Sequence, residues 1–317
     1  MRVVFLGNAP WSVPSLEAVA GSSHEVGLVL TSVPRPAGRG MRLTPTPVAD
    51  TARRLELPLL EVETVRSGAG FDALVQAKPD VLAVVAYGEI LPQAVLDVPR
   101  VAPVNVHFSL LPKLRGAAPV QRAILGELDL EQDTGVTTIR MDEGMDTGPI
   151  LLQVAEPLWP NDTAGTLGQR LSDLGGRLLV LTLDGLEAGT IVERAQDGAR
   201  ATYAPKLTAD DEVIDWNRNA SMVLARVQAL TPEPGARTTY RGRALKVFRA
   251  TDASYGQASE GGSGQAGMII LASESGLVVD TGHWPVVLEE VQLEGKRRMS
   301  GVEFVRGYRP VPGERLG

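Results

Sequence analysis

Asn105 and His107 stand two residues apart at the end of an apolar run, Ala102–Val106, that reads as a β-strand. In an extended segment, residues i and i+2 project from the same face. One then offers an amide donor, the other an imidazole that can exchange a proton near neutrality. Acyl chemistry needs that pair: a donor aimed at the developing oxyanion and a group that moves a proton. A carboxylate to orient the ring would complete the set. The glycine-punctuated stretch from Met141 to Pro149 supplies three, Asp142, Glu143 and Asp146, and spacing does not choose among them. Each residue has a plain structural use when taken singly. A histidine after a strand is more often a satisfied core group than a catalyst, an asparagine can cap a turn, and an acidic Gly-containing loop is usually a solvated turn.

Other chemistries have few means in this sequence. Cysteine is absent, so there is no disulfide framework, thiolate nucleophile or Cys-built zinc site. The three histidines, His24, His107 and His283, are far apart, and no metal centre is expected. The first turn, Gly7-Asn8-Ala9-Pro10, lacks the glycine pattern of dinucleotide and phosphate loops. Net charge is −7, against a protein that grips nucleic acid by bulk charge. Residues 206–317 hold 14 basic and 14 acidic side chains, so the whole acidic excess lies before them.

Elements must bring these residues together. The 317 residues suit two domains, with 44% hydrophobic and 22% charged residues as in soluble globular chains. Strand-like runs at Arg2–Leu6, Glu25–Thr31, Val81–Ala86 and Ala102–Val106 alternate with helical patterns at 14–20, 47–56 and 91–98. That rhythm predicts an α/β fold with an open, mostly parallel, Rossmann-like sheet and ligands beyond the carboxyl ends of its strands. Another strand is expected at Gly135–Met141. Thr163–Ala188 reads as a long helix with an apolar stripe of Leu167, Leu171, Leu174, Leu178 and Leu181, capped by Asn161 or Asp162. Beyond one helix at 219–229, five short strands (236–240, 244–250, 268–273, 277–281, 285–292) suit a small OB-like β-barrel. The Gly/Ser-rich Ser254–Gly267 reads as a mobile loop. The expected division is a catalytic domain at 1–195, a linker at 196–207 and the barrel domain at 208–317. There is no apolar run of membrane-spanning length, and the N-terminal run is too short for a signal peptide. A cytoplasmic monomer is therefore expected.

Several stretches together resemble the folate-dependent formyltransferases. They are Asn105-Val106-His107, Ser109-Leu110-Leu111-Pro112, Arg115-Gly116-Ala117-Ala118-Pro119, Met145-Asp146-Thr147-Gly148 and Tyr87–Pro92. Arg35–Gly40 is similar to the tRNA-facing loop of those members that act on methionyl-tRNA. Thr202–Lys206 with Ile214-Asp215-Trp216, and Val311–Leu316, match the family's second domain, so the likeness runs nearly end to end. The resemblance implies a catalytic trio of Asn105, His107 and Asp146, and a folate pocket that includes Ser109, Leu110, Leu111 and Pro112. It implies 10-formyltetrahydrofolate as co-substrate, no metal, and methionyl initiator tRNA as acceptor. Arg39 would then reach the acceptor end, with Lys206, Arg243 and Lys246 among the barrel's tRNA contacts. Phe108, and Val33-Pro34 before Arg35, depart from the family pattern. A formyltransferase acting on an amino-sugar nucleotide, a formyl-releasing hydrolase and a non-catalytic folate- or RNA-binding module are the competing readings.

Overall fold

Val81–Val85 is five consecutive apolar residues, every one buried, as befits a strand covered on both faces. In the computed structural model, which describes residues 1–37, 41–126, 133–253, 265–273 and 276–317, this strand lies in mid-sheet. The first unit runs β1 (Arg2–Gly7), α1 (Val13–Ala20), β2 (Glu25–Ser32), a small hairpin β3 (Arg35–Ala37) and β4 (Arg42–Thr44), and α2 (Pro47–Arg54). It continues through β5 (Leu59–Val62), α3 (Gly68–Ala77), β6 (Val81–Val85), α4 (Gln93–Leu96) and β7 (Ala102–His107). After α5 (Pro119–Leu125), which belongs to the second unit from Val120 on, come β8 (Asp133–Arg140), β9 (Ile150–Pro157) and the long α6 (Ala164–Glu187), which is in the first unit from Gly168 on.

The large sheet has the order β5-β2-β1-β6-β7-β8-β9. β5 to β7 pair in parallel, while β8 and β9 are antiparallel additions. The chain winds outward from β1 through β2 to β5, then returns to β1's other side as β6. The strand order thus reverses between β1 and β6, where a crevice opens at the carboxyl ends.

Helix α6 departs from the sequence pattern in two ways. Its N-cap is Thr163, whose Oγ1 accepts from the Thr166 amide at 3.1 Å. Asp162 instead accepts from the Trp159 amide and the Thr166 hydroxyl, and neither it nor Asn161 caps. Leu181 is 58% exposed although it extends the leucine stripe, and Leu179 and Leu183 are fully buried in its place. The buried face drifts because a helix turns 3.6 residues per turn, not 3.5.

The second unit contains α7 (Ala220–Ala229), β10 (Ala236–Tyr240), β11 (Arg243–Asp252), β12 (Ile269–Ser273), β13 (Gly276–Val279), β14 (Val286–Leu293), β15 (Met299–Ser300) and α8 (Gly301–Tyr308). Its antiparallel sheet follows β10-β11-β14-β13-β12, with β15 on β14. Among the described residues β10 and β12 do not pair with each other. Bridges from Leu316 to Tyr240 and from Arg315 to Met268 place the 315–316 segment against both edges. The core beneath is apolar, including Val223, Val247, Leu288, Tyr240 and Phe304. A capping box of Ser300 and Glu303 starts α8. Of the expected Ser254–Gly267 loop, residues 254–264 lie outside the described residues. Compact division of the chain assigns Lys206–Gly317, Val120–Asp129 and Trp159–Leu167 to this second unit, and segments up to Pro205 to the first.

Candidate active site

A cavity of about 450 Å³ opens in the first unit at the crevice where the sheet order reverses. Its walls come from Trp11 after β1, Val84 and Ala86–Leu91 at the end of β6, Asn105–Phe108 at the end of β7, Ile139, and the β8–β9 connection Met141–Asp146. Most of that wall is apolar, and three of its polar residues, Asn105, His107 and Asp146, meet one another.

Asn105 and His107 share a face of β7, as their spacing requires. The β8–β9 connection brings Asp146 to both. Asn105 Nδ2 lies 3.4 Å from Asp146 Oδ1, and His107 Nδ1 lies 3.6 Å from Asp146 Oδ2. The Gly116 amide donates to Asp146 Oδ2 at 2.8 Å. His107 is 5% exposed, and its Nε2 sits 2.9 Å from the Leu114 carbonyl. A carbonyl only accepts, so Nε2 carries a proton and Nδ1 faces the carboxylate. Asp142 Oδ1 is engaged by the Gly144 amide at 3.0 Å and the Thr147 hydroxyl at 2.7 Å. Among the described residues, Asp146 is the one of the three acidic candidates that meets both Asn105 and His107.

The backbone here is unusual. Asp146 sits at φ +55° and Gly116 at φ +122°. A Cβ on Gly116 would stand 2.7 Å from the Ala204 carbonyl oxygen, so no other residue fits without a shift. Tyr87 also lines the cavity, but burial, with the nearby Glu89 charge second, pushes its phenol well above the usual range. It stays neutral and is no base.

Ser109, Leu110, Leu111 and Pro112 are not on the cavity wall. Ser109 is fully buried and donates to the Lys113 carbonyl at 2.6 Å, while Leu111 packs with Ile139 and Ile150. Leu110 and Pro112 are half-buried. Phe108 turns its ring edge-on to Trp11, with centroids 6.2 Å apart, beside Gly175 of α6. Arg39 lies outside the described residues, and Lys206 is exposed at the start of the second unit. Arg243 and Lys246, three apart on β11, point to opposite faces; they donate to the carbonyls of Glu294 and Pro234, each at 2.7 Å.

The residues that sequence reasoning missed are those that hold this geometry. Trp11 carried no signal beyond its aromatic type. Gln196, in a polar stretch read as linker, donates to the carbonyls of Asp146 and Gly148. Thr202 accepts the amides of Leu114 and Arg115 through its hydroxyl and carbonyl oxygens.

An amide donor, an imidazole and a carboxylate around one cavity at a sheet's switch point have the means for acyl transfer, and comparison with known proteins narrows the class. A formyl transferase profile matches residues 1–183, and the profile of the formyl transferase C-terminal domain matches residues 206–309. Together these matches span most of the chain and make it a formyl transferase by family. The chain is 38% identical to the methionyl-tRNA formyltransferase of Geobacter sulfurreducens, covering 100% of this chain and 97% of that one. It is 42% identical to that of Pelotomaculum thermopropionicum, over 98% and 97% respectively. With that identity along its whole length, the chain belongs to the methionyl-tRNA formyltransferase family. Among solved structures, the Helicobacter canadensis N-formyltransferase in complex with folinic acid and dTDP-3-aminofucose has the same fold, with TM-score 0.66 and 17% identity over 91% of this chain and 98% of that one.

Proposed function

We infer that this protein transfers the formyl group of 10-formyltetrahydrofolate to the free amine of methionyl initiator tRNA, directly and without a covalent enzyme intermediate. The observation that carries the reading is the meeting of Asn105, His107 and Asp146 at the end of a mostly apolar cavity. It stands in a chain whose full-length relatives bear that activity's name. A cavity of about 450 Å³ has room for a flat bicyclic ring. Ser109, Leu110, Leu111 and Pro112 would serve the folate from outside the cavity wall, with the half-buried Leu110 and Pro112 the two that retain exposed surface for contact.

The neutral methionyl amine attacks the formyl carbon, forming a C–N bond and a tetrahedral oxyanion. Asn105 Nδ2, whose contact with Asp146 is long, donates to that oxygen. His107 Nδ1 takes the proton shed by the amine, and the Asp146 carboxylate holds the charged ring. Collapse breaks the bond to the folate nitrogen, which leaves with a proton. The acceptor's tRNA body is held by the domain expected at 208–317, after the linker at 196–207, with Arg39, Lys206, Arg243 and Lys246 contributing charge. Among the described residues, no helix is long and apolar enough to cross a membrane. A cytoplasmic monomer fits the reading.

Transfer of labelled formyl from 10-formyltetrahydrofolate to initiator methionyl-tRNA, with elongator methionyl-tRNA and free methionine alongside, tests it. Label on the initiator species alone is the expected result. Label on none of the three, with folate still bound, would move the acceptor to an amino-sugar nucleotide.

A further inference from the structure

Gln196 does not itself line the cavity, yet its side chain is wholly committed to the site. Its Nε2 donates to the Asp146 carbonyl at 2.8 Å and to the Gly148 carbonyl at 2.7 Å. Its Oε1 accepts from Arg115 Nε at 3.1 Å and Nη2 at 2.8 Å. Both N–H donors and the carbonyl of the amide are thus engaged. Arg115 is itself buried, at 6% exposure.

The turn that Gln196 grips is held against local preference. Asp146 adopts φ +55°, which L side chains avoid. Flanking glycines leave no slack, because a Cβ on Gly144 or Gly148 would fall within 2 Å of Thr147 Oγ1 or the Arg140 carbonyl. Such a conformation persists only where its surroundings over-determine it. The contacts close a circuit. Arg115 fixes Gln196, Gln196 fixes the Asp146 backbone, and the amide of Gly116, next to Arg115, fixes the Asp146 carboxylate at 2.8 Å.

We propose that Gln196, backed by Arg115, is a positioning residue for formyl transfer, setting the Asp146 carboxylate against His107 without touching substrate. This rests on Asp146 being His107's partner, as inferred above. The donor half of the amide carries the function, because it alone reaches the turn.

The test compares Gln196→Met, which keeps the size, with Gln196→Glu, which keeps an acceptor for Arg115 but sets a carboxylate against two carbonyl oxygens. In both, kcat should fall roughly ten- to a hundredfold, the scale of a small misplacement of a catalytic group. KM for folate and for tRNA should stay near wild type. The pH–rate profile of the residual kcat should be displaced, which a mere loss of folded enzyme would not do. A wild-type kcat in Gln196→Glu would overturn the proposal. So would a loss uniform across pH and matched by the loss of folded protein in thermal melts. Should the Met variant fail to fold, the Glu variant alone decides. Wild type and Asp146→Asn run alongside: an inactive wild type, or a fully active Asp146→Asn, would sink the reading of the site and the role of Gln196 with it. An impaired Asp146→Asn beside a wild-type Gln196→Glu would sink the role of Gln196 alone.

Discussion

Asn105 is the least committed member of the trio. His107 Nε2 is bonded to the Leu114 carbonyl at 2.9 Å, and Asp146 holds a 2.8 Å bond to the Gly116 amide. Asn105 makes only a long 3.4 Å contact and is half-buried, so its amide has a donor to give to substrate. Asn105→Ala should therefore lower kcat by roughly 10²–10³-fold, the loss typical of one oxyanion donor. Stability should change by less than about 0.5 kcal/mol, as for substitutions that break no buried network. Single-turnover formyl transfer and a thermal melt measure the two, and a wild-type rate would remove Asn105 from the mechanism. At this scale much was legible in the sequence. The i, i+2 placement of Asn105 and His107 follows from strand geometry alone. Choosing among Asp142, Glu143 and Asp146 does not, because the choice turns on a loop conformation that spends Asp142 on Gly144 and Thr147. Gln196 was not legible at all. Its partners are backbone carbonyls 48 and 50 residues away, and no side-chain pattern encodes them.

The element that seats the cavity from behind is α6, and its glycines explain how. Gly168 and Gly175 lie where the helix meets Trp11, Val106 and Phe108. A Cβ on Gly168 would come within 2.5 Å of the Trp11 ring, and one on Gly175 within 2.9 Å of Val106. In an exposed helix, Gly→Ala stabilises by about 1 kcal/mol. Here the sign reverses: Gly168→Ala should destabilise by about 1–3 kcal/mol, the cost of overpacking, and should push Trp11 toward the cavity. Adding Trp11→Leu should recover much of that stability, since the clash is with the ring. Chemical denaturation of the two variants checks this, and a stabilised Gly168→Ala would show that the helix can simply move away. The same interface shows why α6 was legible in its bounds and not in its role. Leucine periodicity marks a helix at 163–188, but only close packing on β7 explains glycines in mid-helix. The sheet was legible where strands are continuously apolar, as at Val81–Val85. β5 and β9 were missed because their polar and half-exposed residues blur the apolar run.

Across the whole molecule, folding draws on carboxylates held in their charged form. Among the described residues, five lie below their ordinary values: Asp80 in the first unit, and Asp211, Asp215, Glu303 and Glu314 in the second. Asp80 is held down first by the Arg2 amide. Burial pushes Asp211 up, but the Thr208 amide and the forked Arg122 guanidinium, at 2.9 and 3.0 Å, outweigh it. A carboxylate whose pKa is lower folded than unfolded contributes stability that is complete above the unfolded value. That contribution is lost as pH falls through the folded one. For Asp211 the loss begins near 3.8 and grows below it. The protein should therefore melt at steadily lower temperature once pH drops beneath about 4, with four of the five groups placing that loss in the second unit. Asp211→Asn isolates one contribution. Near pH 7 it takes this carboxylate from Arg122, and losing the charge of such a hydrogen-bonded pair costs about 1.5–3 kcal/mol. The gap between variant and wild type should close as acid protonates Asp211 in the wild type. Melting both proteins from pH 7 down to pH 3 reads this directly. A gap that stays constant across that range would mean that Asp211 acts through packing and not through its charge.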